Sequence, residues 1–381
     1  MRVLVACDKF RGSLTAAEAN AAILAALAGS RLEATATALP IADGGEGTLE
    51  ALRDGATRRR TTVTGPFGAP VEAGWLLDEA SRRAVVEMAS AAGHAAVGPG
   101  GYDPDRASSV GIGELVLAAV EAGAREVVIA LGGSVTVDGG AGALGALGAR
   151  FLDADGEPLE RPAGRALSRI ARVDLAAVDP RVRETALVLA ADVDNPLAGP
   201  SGAARVFGPQ KGVRDEDIEA FDAALRHFDA VLAQARDAAP LAEARHAGAA
   251  GGMMVGLSAA APTLARDGFA VVAEHHGLAA RVAEADLVVT GEGSLDAQSL
   301  GGKGPVAIAR MARDAGVPAI AFAGRLAAGA DDLSAAGVTA AFCISRGPAS
   351  LAEALAGAGE ALRETARGAF DLVAAARSMR A

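Results

Sequence analysis

Residues 2–28 read RVLVACDKFRGSLTAAEANAAILAALA, and this stretch decides the fold. Arg2–Cys7 is a short run of β-branched and small apolar residues, which predicts a strand. It breaks into the polar loop Asp8-Lys9-Phe10-Arg11-Gly12, after which Ser13 or Thr15 can cap a helix running to about Ala28. The same rhythm follows at once. Thr35–Pro40 predicts a second strand, Asp43-Gly44-Gly45-Glu46-Gly47 a second polar loop, and then another helix. Two successive β-loop-α units, with polar loops at the strand C-terminal ends, predict a doubly wound parallel sheet.

Further along, the pattern changes. Thr61–Thr64, Val71–Leu77 and Arg83–Met88 are short runs separated by turn signals, which predicts an antiparallel meander. Ser109–Ala122 and Asp217 to about Arg236 read as helices, and Glu126–Leu131 and Ala186–Ala191 as strands. Near the C-terminus β-loop-α returns: Asp286–Thr290, Pro318–Ala323 and Ala340–Ser345 are strands, Pro305–Ala315 is a helix, and Ala349–Arg377 is mainly helical. The prediction is therefore α/β: a doubly wound Rossmann-like domain, discontinuous in sequence (1–60 and 283–381), with a second α/β domain (61–282) inserted.

A chain of 381 residues with 51% hydrophobic residues can bury two cores. A net charge of -11 argues against nucleic acid as a partner, because neutralising phosphates needs a basic surface. Residues 247–265 carry no charge but are mostly Ala, Gly, Ser and Met, interrupted by Pro262, so a buried helix is expected there and no membrane span. No targeting segment is visible, and two distant cysteines, Cys7 and Cys343, form no disulfide framework; both are expected to be buried thiols in a reducing compartment. His275-His276 is expected in a solvated loop.

Of 36 basic side chains only Lys9, Lys211 and Lys303 are lysine. A compact ammonium suits a crowded site better than a planar guanidinium does, and all three lie in Gly-containing segments. Gly-rich loops with carboxylates and hydroxyls let a backbone approach an anion. The usual nucleotide signatures are absent, however: no lysine is followed by Ser or Thr, and Gly140–Gly145 matches G-x-G-x-x-G only in a context that favours close helix packing. Carboxylates, lysines and Gly-rich loops suit phosphoryl transfer, and equally the binding of an organic anion.

Taken together, DKFRGSLTA (Asp8–Ala16), ADGGEGT (Ala42–Thr48), GGSVTVDGGAG (Gly132–Gly142), DVDNPL (Asp192–Leu197), FGPQKG (Phe207–Gly212), GAAGGM (Gly248–Met253) and GEGSLDAQSLGGKGP (Gly291–Pro305) resemble the bacterial glycerate kinase family. That resemblance implies two α/β domains with the active site in the cleft between them, ATP with Mg²⁺, glycerate as acceptor and a cytoplasmic location. No membrane or nucleic-acid partner is implied; the chain is expected to be a monomer or homodimer.

On this expectation Asp192, Lys303, Asp43 and Asp296 are catalytic. Arg11, Lys9, Lys211, Gln210, Ser134 and Thr136 bind the substrate. Gly44, Gly45, Gly291, Glu292, Gly293 and Gly302 bind the nucleotide, and Asp194 and Glu46 bind the metal. Asp192 and Asp194 flank Val193, so in an extended segment both carboxylates face one side. Two other readings remain: a non-catalytic protein binding a sugar acid or organic phosphate, and an NAD(P)-dependent hydroxy-acid dehydrogenase.

Overall fold

In the computed structural model residues 1–297, 299–302, 304–345 and 347–379 are described. The strands in chain order are β1 (Arg2–Cys7), β2 (Thr35–Ala38), β3 (Thr57–Thr64), β4 (Pro70–Asp78), β5 (Arg83–Glu87), β6 (Glu126–Ala130), β7 (Arg150–Leu152), β8 (Arg172–Asp174), β9 (Ala186–Ala191), β10 (Thr263–Asp267), β11 (Leu287–Leu295), β12 (Ala319–Leu326) and β13 (Ala340–Cys343). The chain divides into two compact units, Met1–Asp43 with Phe269–Ala381, and Gly44–Gly268. The first is discontinuous. The boundaries fall at 43/44 and 268/269 instead of 60/61 and 282/283. The reason lies in the second unit's sheet and loops: Glu87 at the end of β5 accepts the backbone N–H groups of Gly47 and Leu49, which ties residues 44–60 to that unit.

The first unit is a five-stranded sheet in the order β13-β12-β11-β1-β2, parallel throughout. Renumbered within the unit, this is 2-1-3-4-5. In such a doubly wound sheet the strand order reverses between β1 and β11, and ligands bind beyond the strand C-terminal ends at that point. Val3, Val5 and Cys7 pack with Ile23, Leu362 and Phe370 on one face, while Leu4 and Ala6 point to the other. The helix Ala16–Ala28 starts in a capping box: Thr15 Oγ1 accepts from Glu18 N while the Glu18 carboxylate accepts from Thr15 N. Of the two candidate caps, Thr15 is therefore the one used.

The second unit holds a mixed six-stranded sheet, β10-β9-β6-β5-β4-β3. β3, β4 and β5 form the expected antiparallel meander; β5, β6, β9 and β10 are parallel. The C-terminal ends of these four parallel strands lie along one edge and lead into Glu87, the Gly132 loop, Asp192 and Asp267. β7 and β8 form a separate two-stranded ribbon.

Three local expectations are corrected. Residues 247–265 are not one helix: Gly251 and Gly252 adopt positive φ, which separates a 3-10 turn (Ala249–Gly251) from the short helix Met253–Leu257, and β10 begins at Thr263. His276 is buried, its Nε2 facing the Pro40 carbonyl at 3.1 Å, because the helix Gly268–His275 carries it inward. Cys343 is exposed because it ends the edge strand β13, whereas Cys7 lies fully inside on β1. Among the described residues no helix is long and apolar enough to cross a membrane.

Candidate functional site

In the first unit, the loops after β1 and along the end of β11 pack on each other. Phe10 inserts into the apolar core, a burial worth roughly 1.5–3 kcal/mol. Its immersion fixes the loop and leaves Lys9 half-buried and Arg11 exposed on either side. The opposing backbone comes so close that a Cβ on Gly293 would sit 3.0 Å from Arg11 N, so this position accepts no larger residue without a shift. Asp8 N donates to the Gly291 carbonyl at 2.9 Å, and Lys9 Nζ lies 3.6 Å from Asp43 Oδ1. Asp296 is held in a reciprocal turn with Ser299, each backbone N–H donating to the other's side-chain oxygen.

The result is a crowd of carboxylates. Burial pushes the Asp8 carboxyl up to about 6, assisted by the nearby Asp43 charge and opposed by Lys9. Burial likewise pushes Glu292 up to about 7; a Ser299 hydrogen bond opposes it, and Asp8, Asp296 and Asp43 add to it. Glu292 Oε1 is buried with no hydrogen-bond partner among the described residues. Burial and neighbouring carboxylates thus outweigh the pull of Lys9 on Asp8, and both acids are held above their ordinary values. Asp8 was missed in the sequence, although it is the first residue after β1, the same placement that Asp192 has after β9. Lys303 lies outside the described residues; its neighbour Gly304 is close to Asp8, with a Cβ there placed 3.6 Å from Asp8 Oδ2.

This crowding has a measurable consequence. Because the Glu292 carboxyl titrates higher folded than unfolded, its penalty is absent below the ordinary value of 4.5 and complete above about 7. Glu292→Gln is therefore expected to raise the unfolding free energy at pH 8 by about 1–3 kcal/mol, a tenfold change in proton affinity being about 1.4 kcal/mol. That advantage should shrink as the pH falls toward 5. Urea denaturation at both pH values checks this, and a pH-independent gap would contradict it.

In the second unit, the loops after β6 and β9 meet the segment beginning at Gly44. Gly132 N donates to the Gly44 carbonyl at 3.0 Å. A Cβ on Gly132 would lie 2.5 Å from Gly45 Cα and 3.5 Å from Asp192 Oδ2, so only glycine allows these three segments to touch. Lys211, 3% exposed, donates through Nζ to Ser134 Oγ at 2.8 Å and to the Thr136 carbonyl at 2.9 Å. Burial lowers its ammonium to about 8, and the Asp138 and Asp192 carboxylates pull it back up. Asp138 is fully buried. It accepts from Ser109 N, Ser109 Oγ, Gly140 N and Gly142 N at 2.7–3.2 Å; burial raises its carboxyl and these four donors oppose the rise. Thr136 Oγ1 is buried with no partner among the described residues. Gly140 and Gly142 serve packing, with a Cβ on Gly142 placed 2.2 Å from Ser108 Oγ.

The described side chains fall into two clusters, one in each unit. Asp8, Lys9, Asp43, Gly291, Glu292, Gly293 and Asp296 share the first unit, and Gly44, Gly45, Ser134, Thr136, Lys211 and Asp192 the second. Other expected residues stand apart from these contacts. Asp194, its side chain 58% exposed, pairs with Arg245 at 3.0 Å, so Asp192 and Asp194 take different partners instead of acting side by side. Glu46 and Gln210 are exposed, and Gly302 is half-buried. Among the described residues no group of three or more His, Cys, Asp or Glu side chains is arranged to hold a metal ion. The carboxylate crowd nonetheless suits Mg²⁺, which takes one or two protein carboxylates and completes its shell with phosphates and water.

Comparison with known proteins gives a consistent result. The model of the Glycerate kinase family matches residues 3–374. A glycerate kinase of Bacillus subtilis is 39% identical over 381 residues, covering 100% of this chain and 99% of its own. A glycerate 2-kinase of Escherichia coli is 37% identical over 361 residues, 94% of each chain. A crystal structure assigned to glycerate kinase 2 of Salmonella typhimurium LT2 superposes with a TM-score of 0.86 at 38% identity, covering 99% of both chains.

Proposed function

Given that the chain belongs to the glycerate kinase family, we propose that it transfers the terminal phosphoryl group of ATP to the 2-hydroxyl of glycerate, yielding 2-phosphoglycerate and ADP in the cytoplasm. The observation that carries this reading is the crowding of Asp8, Asp43 and Glu292 at the reversal point of a parallel sheet, with a buried Glu292 oxygen that has no hydrogen-bond partner among the described residues. Such a group is stabilised by a cation, and a cation bound to nucleotide phosphates fits it. The 2-hydroxyl is favoured by the name of the Escherichia coli relative, a glycerate 2-kinase.

Asp192 is assigned as the general base. It accepts the proton of the glycerate hydroxyl, whose oxygen then bonds to the terminal phosphorus as the bond to the bridging oxygen breaks toward ADP. Lys211 places a buried positive charge beside Asp192. Ser134 Oγ already accepts from Lys211, so its hydrogen is left to donate to the acid substrate; Arg11, Lys9, Gln210 and Thr136 complete the substrate contacts. The glycine loops at Gly44–Gly45, Gly291–Gly293 and Gly302, with Lys303, receive the phosphates. Mg²⁺, when bound, neutralises phosphate charge, and Asp8, Asp43 and Glu292 would hold it in preference to Asp194, which is engaged by Arg245, and Glu46.

The test is product analysis. With ATP, Mg²⁺ and glycerate the protein should release ADP, and phosphorus NMR should show a phosphate coupled to the single C2 proton. A phosphate coupled to two C3 protons would overturn the regiochemistry. Absence of ADP release would overturn the activity. Retained turnover in excess chelator would remove the metal.

A further inference from the structure

The segment beginning at Arg245 was not absorbed by this reading, although GAAGGM at Gly248–Met253 is one of the chain's distinctive motifs. It runs against the loop that carries Asp192. His246 is 4% exposed, and its Nδ1 lies 2.7 Å from the Val193 carbonyl. A carbonyl only accepts, so Nδ1 carries the hydrogen. The same ring nitrogen is 3.3 Å from Asp194 Oδ1. Arg245 Nε and an outer Arg245 nitrogen donate to the two Asp194 oxygens at 3.0 and 3.2 Å. The backbone closes the clamp: His246 N donates to the Asp194 carbonyl at 3.4 Å and Gly248 N to the Asn195 carbonyl at 2.9 Å. A Cβ on Gly248 would lie 2.3 Å from the Pro196 carbonyl oxygen, so the two strings of residues are in tight contact.

His246 also has φ of +68°, in the left-handed region. That conformation is costly for a side chain with a Cβ and persists only where surrounding contacts impose it, which is frequent at functional sites. Here it turns the imidazole back onto the carbonyl of Val193, the residue that follows Asp192.

We infer that His246 is a positioning residue for phosphoryl transfer: its Nδ1–H fixes the Val193 carbonyl and thereby the direction of the Asp192 carboxylate. This rests on the assignment of Asp192 as the base. His246 touches no reacting atom; its effect runs through the loop. Asp194 and Arg245 take a structural role in the same clamp, which accounts for a carboxylate two residues from the base being paired away from it.

Three variants read this out. His246→Ala removes the donor and is expected to lower kcat tenfold or more with the KM for ATP unchanged. His246→Asn is expected to restore kcat to within about threefold, because Asn tolerates left-handed backbone and its amide can donate where Nδ1–H does. His246→Gly keeps the backbone easy and removes the donor; it serves if the Ala variant does not fold, and should match the Ala kcat. Equal kcat in the Asn and Gly variants would overturn the inference, as would wild-type kcat in folded His246→Ala. The premise is separated by Asp192→Asn: if that variant keeps turnover, the base assignment fails, whereas an inactive Asp192→Asn beside a fully active His246→Ala defeats only the positioning role.

Discussion

Asp192→Asn is expected to lower kcat by about 10²- to 10⁴-fold while leaving glycerate binding intact, the range general-base removal produces. This corresponds to about 3–5 kcal/mol of transition-state stabilisation. The amide keeps the shape of the carboxylate beside Gly132 and cannot take a proton at neutral pH. Loss confined to kcat would show an interaction made only as the hydroxyl loses its proton, whereas a raised KM for glycerate with kcat preserved would show a plain substrate ligand. Steady-state kinetics with glycerate and ATP varied separately decide this. Full turnover in the variant would pass the role to another carboxylate, Asp43 or Asp296 first.

Asp138→Ala is expected to lower the unfolding free energy by about 4 kcal/mol or more. The carboxylate is fully buried and accepts from two donors on Ser109 and from the backbone of Gly140 and Gly142. Each buried donor left without a partner costs about 1–3 kcal/mol. Lys211 would also lose one of its two compensating charges while remaining buried. The donors lie at the starts of two helices, Val110–Glu121 and Ala141–Ala146, so the loss should loosen the Gly132–Gly140 loop and reduce kcat in whatever protein folds. Urea denaturation monitored by circular dichroism measures the first effect. A loss below about 1 kcal/mol would mean that water or relaxation satisfies the donors.

The two residues were not equally legible. Asp192 follows an apolar run and precedes Pro196, so its place at a strand end could be read locally. Asp138 lay inside a recognisable motif, yet nothing local distinguishes a buried carboxylate that accepts four hydrogen bonds from one facing solvent. Its partners at Ser109 are 29 residues away. Asp8 and Glu87 were overlooked for the same reason, since their weight comes from neighbours distant in the chain. The pairing of Asp194 with Arg245 could not be read because its partner lies 51 residues on. The unit boundaries were displaced because the 44–60 segment shows β-loop-α rhythm, while the Glu87 carboxylate that captures it belongs to the next element.

The sequence alone determined the α/β class, the discontinuous first unit, the antiparallel meander and the glycine-bearing loops at strand ends. These follow from hydrophobic periodicity, capping residues and turn residues, which act within a few positions of one another. Tertiary structure alone decided which charges are neighbours: Lys211 with Asp138 and Asp192, Asp8 with Asp43 and Glu292, His246 with the Val193 carbonyl. Charge, burial and hydrogen-bond partnership depend on distances in space, and only folding sets those for residues tens or hundreds of positions apart.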